Sequence, residues 1–406
     1  MLGWEFPPFF AGGAGMVCKE LSEALNNLGV QVTFIMPHGP DEEELQMVNS
    51  KKSLLKIKVA NNSTKELKIK QIYSLLKPYG SFEQYSKELK KLLKNPAKEL
   101  YGKDLKSEVE RFSYLVLEAA KDEEFDVIHA HDWVTFLAGV RLKEMTGKPL
   151  VIHVHITEFD KTGGDHADPY IYSIEKLGIE RADRVICVSN KVKQRCEISY
   201  YADPSKLRVV HNAAITMDEK VYDWQEIKQN KKMVLFAGRI TLQKGPEYFV
   251  DAAKLVLEKE PNTLFCVAGT GDMLPKMIEK TKQLGIHKNF YFHGFYTRQE
   301  AEKIFGAADV FVMPSVSEPF GIVPFEAQIK KTPTIISKQS GISEILEHTL
   351  QVDFWDVKEM ANKIIGLLHY EPLHKEISVQ GHLEAKNSTW IKPAQQCINI
   401  YEEVIQ

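Results

Sequence analysis

The sequence predicts an α/β protein made of two doubly wound parallel-sheet domains. Three observations lead there. The chain has 406 residues, too many for one ordinary hydrophobic core. Short apolar runs alternate with longer amphipathic ones, as strands buried on both faces do when helices connect them. The runs also fall into two series, divided by the polar, weakly patterned stretch AITMDEKVYDWQEIKQNKK at 214–232.

The first series opens with the glycine-rich FFAGGAG (9–15) and then MVCKELSEALNNLG. In the latter, Val17, Leu21, Ala24, Leu25 and Leu28 recur at helical spacing, and Gly29 suits the C-cap. VQVTFIMP, FDVIHAH, PLVIHVHI, ADRVICVS and LRVVHNA come next as strand candidates. The second series runs through KMVLFAGRI, TLFCVAGTG, FYFHGFY, DVFVMPS and TPTIISK. The lysine-heavy NSKKSLLKIK (49–58) and KELKKLLKNPAKELYGKDLK (87–106) interleave apolar and charged residues and read as solvated amphipathic helices. A doubly wound domain should begin with a full strand, yet only MLGWEF precedes the first glycine-rich loop. The expectation is a clipped first strand rather than a very short one. The two sheets are expected to meet at a cleft facing their carboxyl ends.

Composition narrows the function. A net charge of −3 and a pI near 6.5 exclude a general nucleic-acid or membrane-surface binder. Five cysteines, an odd number with no C-x-x-C pair, sit in apolar runs and read as reduced core thiols. No apolar run is long enough to span a bilayer and no signal-peptide pattern opens the chain, so the expected location is cytoplasmic, with no integral membrane segment.

Five stretches carry chemistry. SVSEPFGIVPFEAQ (315–328) places Glu318 and Glu326 around a turn between a strand and a helix. Pro324 suits the first helical turn, and the amides of Phe320, Gly321, Ile322 and Val323 become donors at the positive end of the helix dipole. That reads as an anion cradle, with the two glutamates accepting hydrogen bonds from sugar hydroxyls. Two solvated glutamates beside a capped helix fit this stretch equally well. AGRITLQKG (237–245) brings Arg239 and Lys244 to the carboxyl edge of a strand, where two cations suit a diphosphate leaving group; a pair of surface cations is the plainer reading. FFAGGAG offers the amides of Gly12, Gly13 and Ala14 to phosphate, although a double glycine also serves an ordinary turn. It is neither a spaced dinucleotide fingerprint nor a Walker loop. Finally, HAHDW and VIHVHI set His129, His131, Asp132, His153 and His155 at the ends of neighbouring strands. Alternation puts His129 with His131, and His153 with His155, on common faces. A metal site is conceivable from the count, but no known metal-ligand spacing is present. Hydrogen-bonding roles toward a polar ligand rank above ligation, with buried structural histidines second.

Taken together, WEFPPFFAGGAG, VIHAHDW, VIHVH, ADRVICVS, VVHNA, GRITLQKGPEYFVDAA, VAGTGDM and SEPFGIVPFEAQ resemble, in order and spacing over nearly the whole chain, the retaining glycosyltransferases of family 4. The nearest likeness is to the glycogen and starch synthase-like subgroup, and Glu318 and Glu326 match that family's E-x7-E element. The resemblance implies the GT-B fold, with an acceptor-side domain at 1–215, a donor domain at 216–387, and a last helix within 388–406 crossing back onto the first. It implies that Arg239 and Lys244 hold the donor diphosphate, that Glu318 binds the transferred sugar and that Glu326 binds the ribose. It also implies that Gly12, Gly13, Gly238 and the amides from Phe320 through Gly321 to Ile322 surround phosphate, while Gly269 and Gly271 pass under the nucleotide. His155 would stand beside the reacting carbon and Asp132 near sugar or acceptor.

The implied reaction moves glucose from UDP- or ADP-glucose to an α-glucan or oligosaccharide, without metal or other cofactor and without nucleic acid. Phe10 replaces the lysine that sister-family ADP-glucose enzymes carry two residues before the double glycine. HNAAITM replaces the usual His-Asn-Gly, and GGAG replaces Gly-Gly-Leu-Gly. Three alternatives remain open: another family 4 transfer such as mannosyl or cell-surface glycan synthesis, a nucleotide-sugar epimerase, and a truncated, inactive nucleotide-sugar binder.

Overall fold

The computed structural model describes residues 1–7, 13–38, 53–58, 66–74, 104–164, 166–215, 217, 228 and 230–405. The chain separates into two compact units. The first comprises Met1–Glu158, Ala167–Asn212 and Trp390–Gln406; the second comprises Phe159–His166 and Ala213–Thr389.

In the first unit the strands are β1 (Thr33–His38), β2 (Ser53–Lys58), β3 (Glu66–Tyr73), β4 (Ile128–His131), β5 (Leu150–Val154), β6 (Arg184–Cys187) and β7 (Leu207–Val209). They form two runs, β1-β3-β2 and β4-β5-β6-β7. Leu2 joins the runs, bridging in parallel to Ile35 on one side and to Ala130 on the other. Every residue of β4 and β5 is buried, as expected for strands covered on both faces. The helix Gly13–Asn27 buries Val17, Leu21, Ala24 and Leu25 as the periodicity predicts. The chain leaves it through Gly29 at φ 104°.

Two expectations need correction. Ser53–Lys58, read from the sequence as part of an amphipathic helix, is a strand. Its Leu55-Lys56-Ile57-Lys58 alternation has period two, which a strand satisfies and a helix does not. It pairs antiparallel to β3, so the sheet is not wholly parallel. The second lysine-rich stretch lies outside the described residues apart from its end, where Asp104 caps the helix Leu105–Ala120 by accepting from the Ser107 amide.

The helix Ile391–Ile405 belongs to the first unit, against Gly13–Asn27. Glu403 on it pairs with Arg184 of β6 and Arg208 of β7. These surface pairs contribute only tenths of a kcal/mol each, about 0.2–1. The apolar face made by Pro393, Ala394, Cys397, Ile400 and Tyr401 does most of the anchoring.

The second unit contains β8 (Lys232–Ala237), β9 (Thr263–Ala268), β10 (Phe290–Gly294), β11 (Val310–Met313), β12 (Thr334–Ser337) and β13 (Leu350–Val352). All pair in parallel in the order β10-β9-β8-β11-β12-β13. Renumbered within the unit this is 3-2-1-4-5-6, the order of a Rossmann sheet, whose direction of winding reverses between β8 and β11. Its core gathers Val234, Phe236, Phe249, Phe265, Val310 and Ile335, all under 3% exposed. Ligands of such sheets bind beyond the carboxyl ends of the strands at that reversal. In this unit those ends are Ala237 of β8 and Met313 of β11.

Candidate active site

Just past β8 the backbone turns through Gly238 at φ 139°, delivers Arg239, and makes a short 3-10 turn, Leu242–Lys244. Past β11 it runs from Pro314 to Glu318. The two loops are fastened together by backbone. The amide of Val316 donates to the Gln243 carbonyl at 2.9 Å. Gly245, at φ 64°, comes so near Pro314 that a Cβ there would sit 2.1 Å from its carbonyl oxygen. The result is an ion pair between Lys244 Nζ and Glu318 Oε2, with Glu318 only 6% exposed. The Ser315 hydroxyl donates to the same carboxylate at 3.4 Å. The backbone of Glu318 is also held, since its amide donates to Gln339 O and its carbonyl accepts from Gly341 N.

Beyond Glu318, Gly321 adopts φ 91°, with Glu318 Cγ 2.9 Å from where a Cβ would stand. Phe320 is buried, and its carbonyl accepts from the Ile342 amide. Ile322 leads directly into the helix Val323–Ile329, with Pro324 in its first turn as the sequence suggested. That helix has seven residues. Glu326 lies on it and is half-buried, with its carboxyl enclosed by protein. Burial raises that carboxyl to about 7, with Arg298 pulling the other way. Burial and the Glu326 charge push the neighbouring Tyr296 phenol up.

Gly269 and Gly271 come just after β9. A Cβ on Gly269 would fall 1.8 Å from Gly238 O, and one on Gly271 would fall 2.2 Å from Ile240 O. Both glycines therefore let two loops cross in contact, a packing role in addition to the one the resemblance implies. Ser317 and Asp160 add a buried hydrogen bond of 2.8 Å to the same unit. Neither Asp160 nor Gly245 was singled out from sequence, although the Gly-Pro step at 245–246 was a legible turn signal.

In the first unit, Asp132 occupies the end of β4 at φ 59°, ψ 168°, a conformation rarely adopted by anything but glycine. Its Oδ1 accepts the His155 amide at 2.8 Å and the Ile156 amide at 3.3 Å, so the strained residue fixes the exit from β5. Its Oδ2 is buried without a partner, and burial raises the carboxyl to about 7 against those two hydrogen bonds. His155 is 9% exposed, and burial lowers its imidazole to about 3, so it is neutral at physiological pH. Its Nε2 lies 2.8 Å from His131 Nδ1. Burial, with the other histidines adding to it, likewise holds His129, His131 and His153 well below the usual imidazole range. Gly13 opens the first helix; Gly12 lies outside the described residues.

The structure thus brings Arg239, Lys244, Glu318, Gly321 and Glu326 to one sheet edge of the second unit. Asp132 and His155 meet at one sheet edge of the first. Residues 11–216 match Glycosyltransferase Family 4 and residues 218–383 match Glycosyl transferases group 1. An uncharacterised glycosyltransferase of Methanocaldococcus jannaschii is 31% identical over 86% of this chain and 82% of its own. The alpha-maltose-1-phosphate synthase of Mycolicibacterium smegmatis is 29% identical over 68% of this chain and 79% of its own. Among solved structures, sucrose-phosphate synthase from Thermosynechococcus elongatus superposes with TM-score 0.72 at 18% identity, covering 97% of this chain and 94% of that one. The fold is GT-B, and the molecule is a transferase of sugars. The chain belongs to glycosyltransferase family 4.

Proposed function

We propose that this glycosyltransferase moves a glucosyl unit from UDP- or ADP-glucose to an α-glucan, with retention at the anomeric carbon and without a metal in the transfer step. The observation that carries the reading is the Lys244–Glu318 pair at the winding reversal of the second unit, with Arg239 on the same loop as Lys244. A cation beside a sugar-binding carboxylate is what a nucleotide-diphosphate sugar needs where its diphosphate joins its hexose. Departure of the sugar breaks the bond between its anomeric carbon and the β-phosphate oxygen. Negative charge then grows on that oxygen, and Arg239 and Lys244 offset it. The acceptor hydroxyl forms the new bond to the anomeric carbon and gives its proton to the departing phosphate.

Glu318 is assigned to the hydroxyls of the transferred sugar and Glu326 to the ribose. Phosphate is assigned to Gly12, Gly13, Gly238 and the amides at Phe320, Gly321 and Ile322; Gly269 and Gly271 are assigned to the floor beneath the nucleotide. His155 and Asp132 are assigned to the sugar and acceptor. The similarity to an alpha-maltose-1-phosphate synthase supports glucosyl chemistry. The test is incubation with glycogen and labelled UDP-glucose or ADP-glucose, counting label in precipitated polymer beside a Glu318→Ala control. Label from one donor that vanishes in the variant is the expected result. No polymer label from either donor, with nucleotide still bound, would overturn the glucan assignment.

A further inference from the structure

Three histidines of β4 and β5, His129, His131 and His153, form a cluster to which the transfer reaction assigns no role. His129 and His131 are two residues apart on one face of β4, and His131 stands opposite His153 in the parallel pairing. All three are at most 1% exposed. Their rings are stacked, with centroids 4.3 Å apart for His129 and His131, 5.2 Å for His131 and His153, and 5.4 Å for His129 and His153. Each ring has a nitrogen with no partner among the described residues: His129 Nε2, His131 Nε2, and both nitrogens of His153. Buried polar atoms are ordinarily satisfied, so a cluster of four such nitrogens calls for an occupant.

The remaining nitrogens say which occupant. His129 Nδ1 is 2.6 Å from the Tyr401 hydroxyl and His131 Nδ1 is 2.8 Å from His155 Nε2. With the proton on Nδ1 in both rings, each donates to that neighbour and keeps its Nε2 lone pair free. An outer hydrogen bond that fixes the tautomer of an inner nitrogen is the usual arrangement around a metal-bound histidine. One ligand atom from each of His129, His131 and His153 lies within 4.8 Å of the others. Tetrahedral zinc with Zn–N bonds of about 2.0–2.1 Å places its nitrogens about 3.3 Å apart, so binding draws the three rings together and turns them out of their near-parallel stack.

We propose that His129, His131 and His153 hold one divalent first-row metal ion, zinc by preference, inside the first unit. The ion fixes the ends of β4 and β5 and, through Tyr401, the seat of the helix Ile391–Ile405. It takes no part in the transfer step.

The experiment uses the untagged full chain, stripped with chelator and dialysed, then titrated with Zn2+ alone and with Co2+. We expect one equivalent of Zn2+ retained through dialysis, a metal-dependent rise in Tm, and visible ligand-field bands of tetrahedral Co2+ without a thiolate charge-transfer band. His129→Gln and His153→Gln, each checked for folding by circular dichroism, should lose the equivalent and the Tm rise. A folded wild-type chain that retains no Zn2+ overturns the proposal without recourse to any variant. Folded His129→Gln and His153→Gln proteins that still retain it also overturn it. So does a thiolate band that disappears in Cys18→Ser, because Cys18, His131 and His155 form the competing ligand set.

Discussion

Lys244 and Glu318 form an ion pair across the winding reversal of the Rossmann-like sheet, linking the loop after β8 to the loop after β11. The pair is mostly screened from water, with side-chain exposures of 17% and 7%. Removing either partner leaves the other charge without its match in a poorly hydrated place. Glu318→Gln and Lys244→Met should therefore each destabilise the protein. The double variant should lose less than the sum, with a coupling of about 0.5–3 kcal/mol. Urea unfolding of the four proteins measures it, and strict additivity would make the pair incidental. Lys244→Met should also lower kcat for transfer by roughly 10²-fold or more, the usual loss when one group stabilising the departing charge is taken away, and Glu318→Gln should lower it by loosening the sugar that the carboxylate is proposed to hold.

Glu326 supplies a pH dependence with a definite sign. Burial raises its carboxyl from 4.5 to about 7 in the free protein, so it is largely protonated below pH 7. On the proposed assignment ribose hydroxyls meet Glu326, and they donate to a carboxylate more strongly than to a carboxylic acid, so donor binding favours the ionised form. Affinity for the nucleotide sugar should then fall as pH drops below about 7, by at most about tenfold per pH unit, and level off above it. In Glu326→Gln that dependence should be absent. Isothermal titration of the nucleotide sugar from pH 5.5 to 8.5 compares the two proteins, and parallel profiles would remove Glu326 from the donor site.

Much of this was legible before the fold, and the reasons differ by element. Val310–Met313 and Thr263–Ala268 are continuous buried runs, and such runs announce parallel strands directly. Residues 53–58 misled because lysines dilute a two-residue alternation that is clear only over four positions. The Lys244–Glu318 pair could be suspected from its loops, but the fastening by Gly245 against Pro314 depends on a crossover that brings residues 69 apart into contact. The Tyr401–His129 hydrogen bond joins residues 272 apart, and no local signal encodes such a contact.

Asp132 should be destabilising when charged. Its carboxyl is raised from 3.8 to about 7, chiefly by burial, with the His155 and Ile156 amides opposing the rise. Between those values the folded state holds a proton that the unfolded state has lost. Stability from this group is therefore full below about pH 3.8 and is lost as pH rises toward 7. Asp132→Asn keeps an acceptor for the two amides and cannot ionise. The stability of wild type minus that of the variant should fall by a few kcal/mol, on the order of the shift, between pH 4 and 7 and stay flat above. Chemical denaturation across that range reads it. A difference that does not change with pH would mean that the buried carboxyl ionises freely.

Gly245 and Gly147 provide a matched pair for the backbone itself. Both are left-handed, at φ 64° and 69°, and both come directly after the last residue of a helical turn. Around Gly147 a Cβ would meet nothing within 4 Å, so Gly147→Ala should carry only the conformational cost of about 1–2 kcal/mol. At Gly245 a Cβ would meet the Pro314 carbonyl oxygen at 2.1 Å, a backbone atom with no rotamer to move into. Gly245→Ala should cost more, because the loop must withdraw from β11 and carry Lys244 away from Glu318. That withdrawal should also lower transfer activity, whereas Gly147→Ala should leave it unchanged. Paired measurements of unfolding and sugar transfer test both arms. Equal stability losses with intact activity would show that the close approach of the two loops is dispensable.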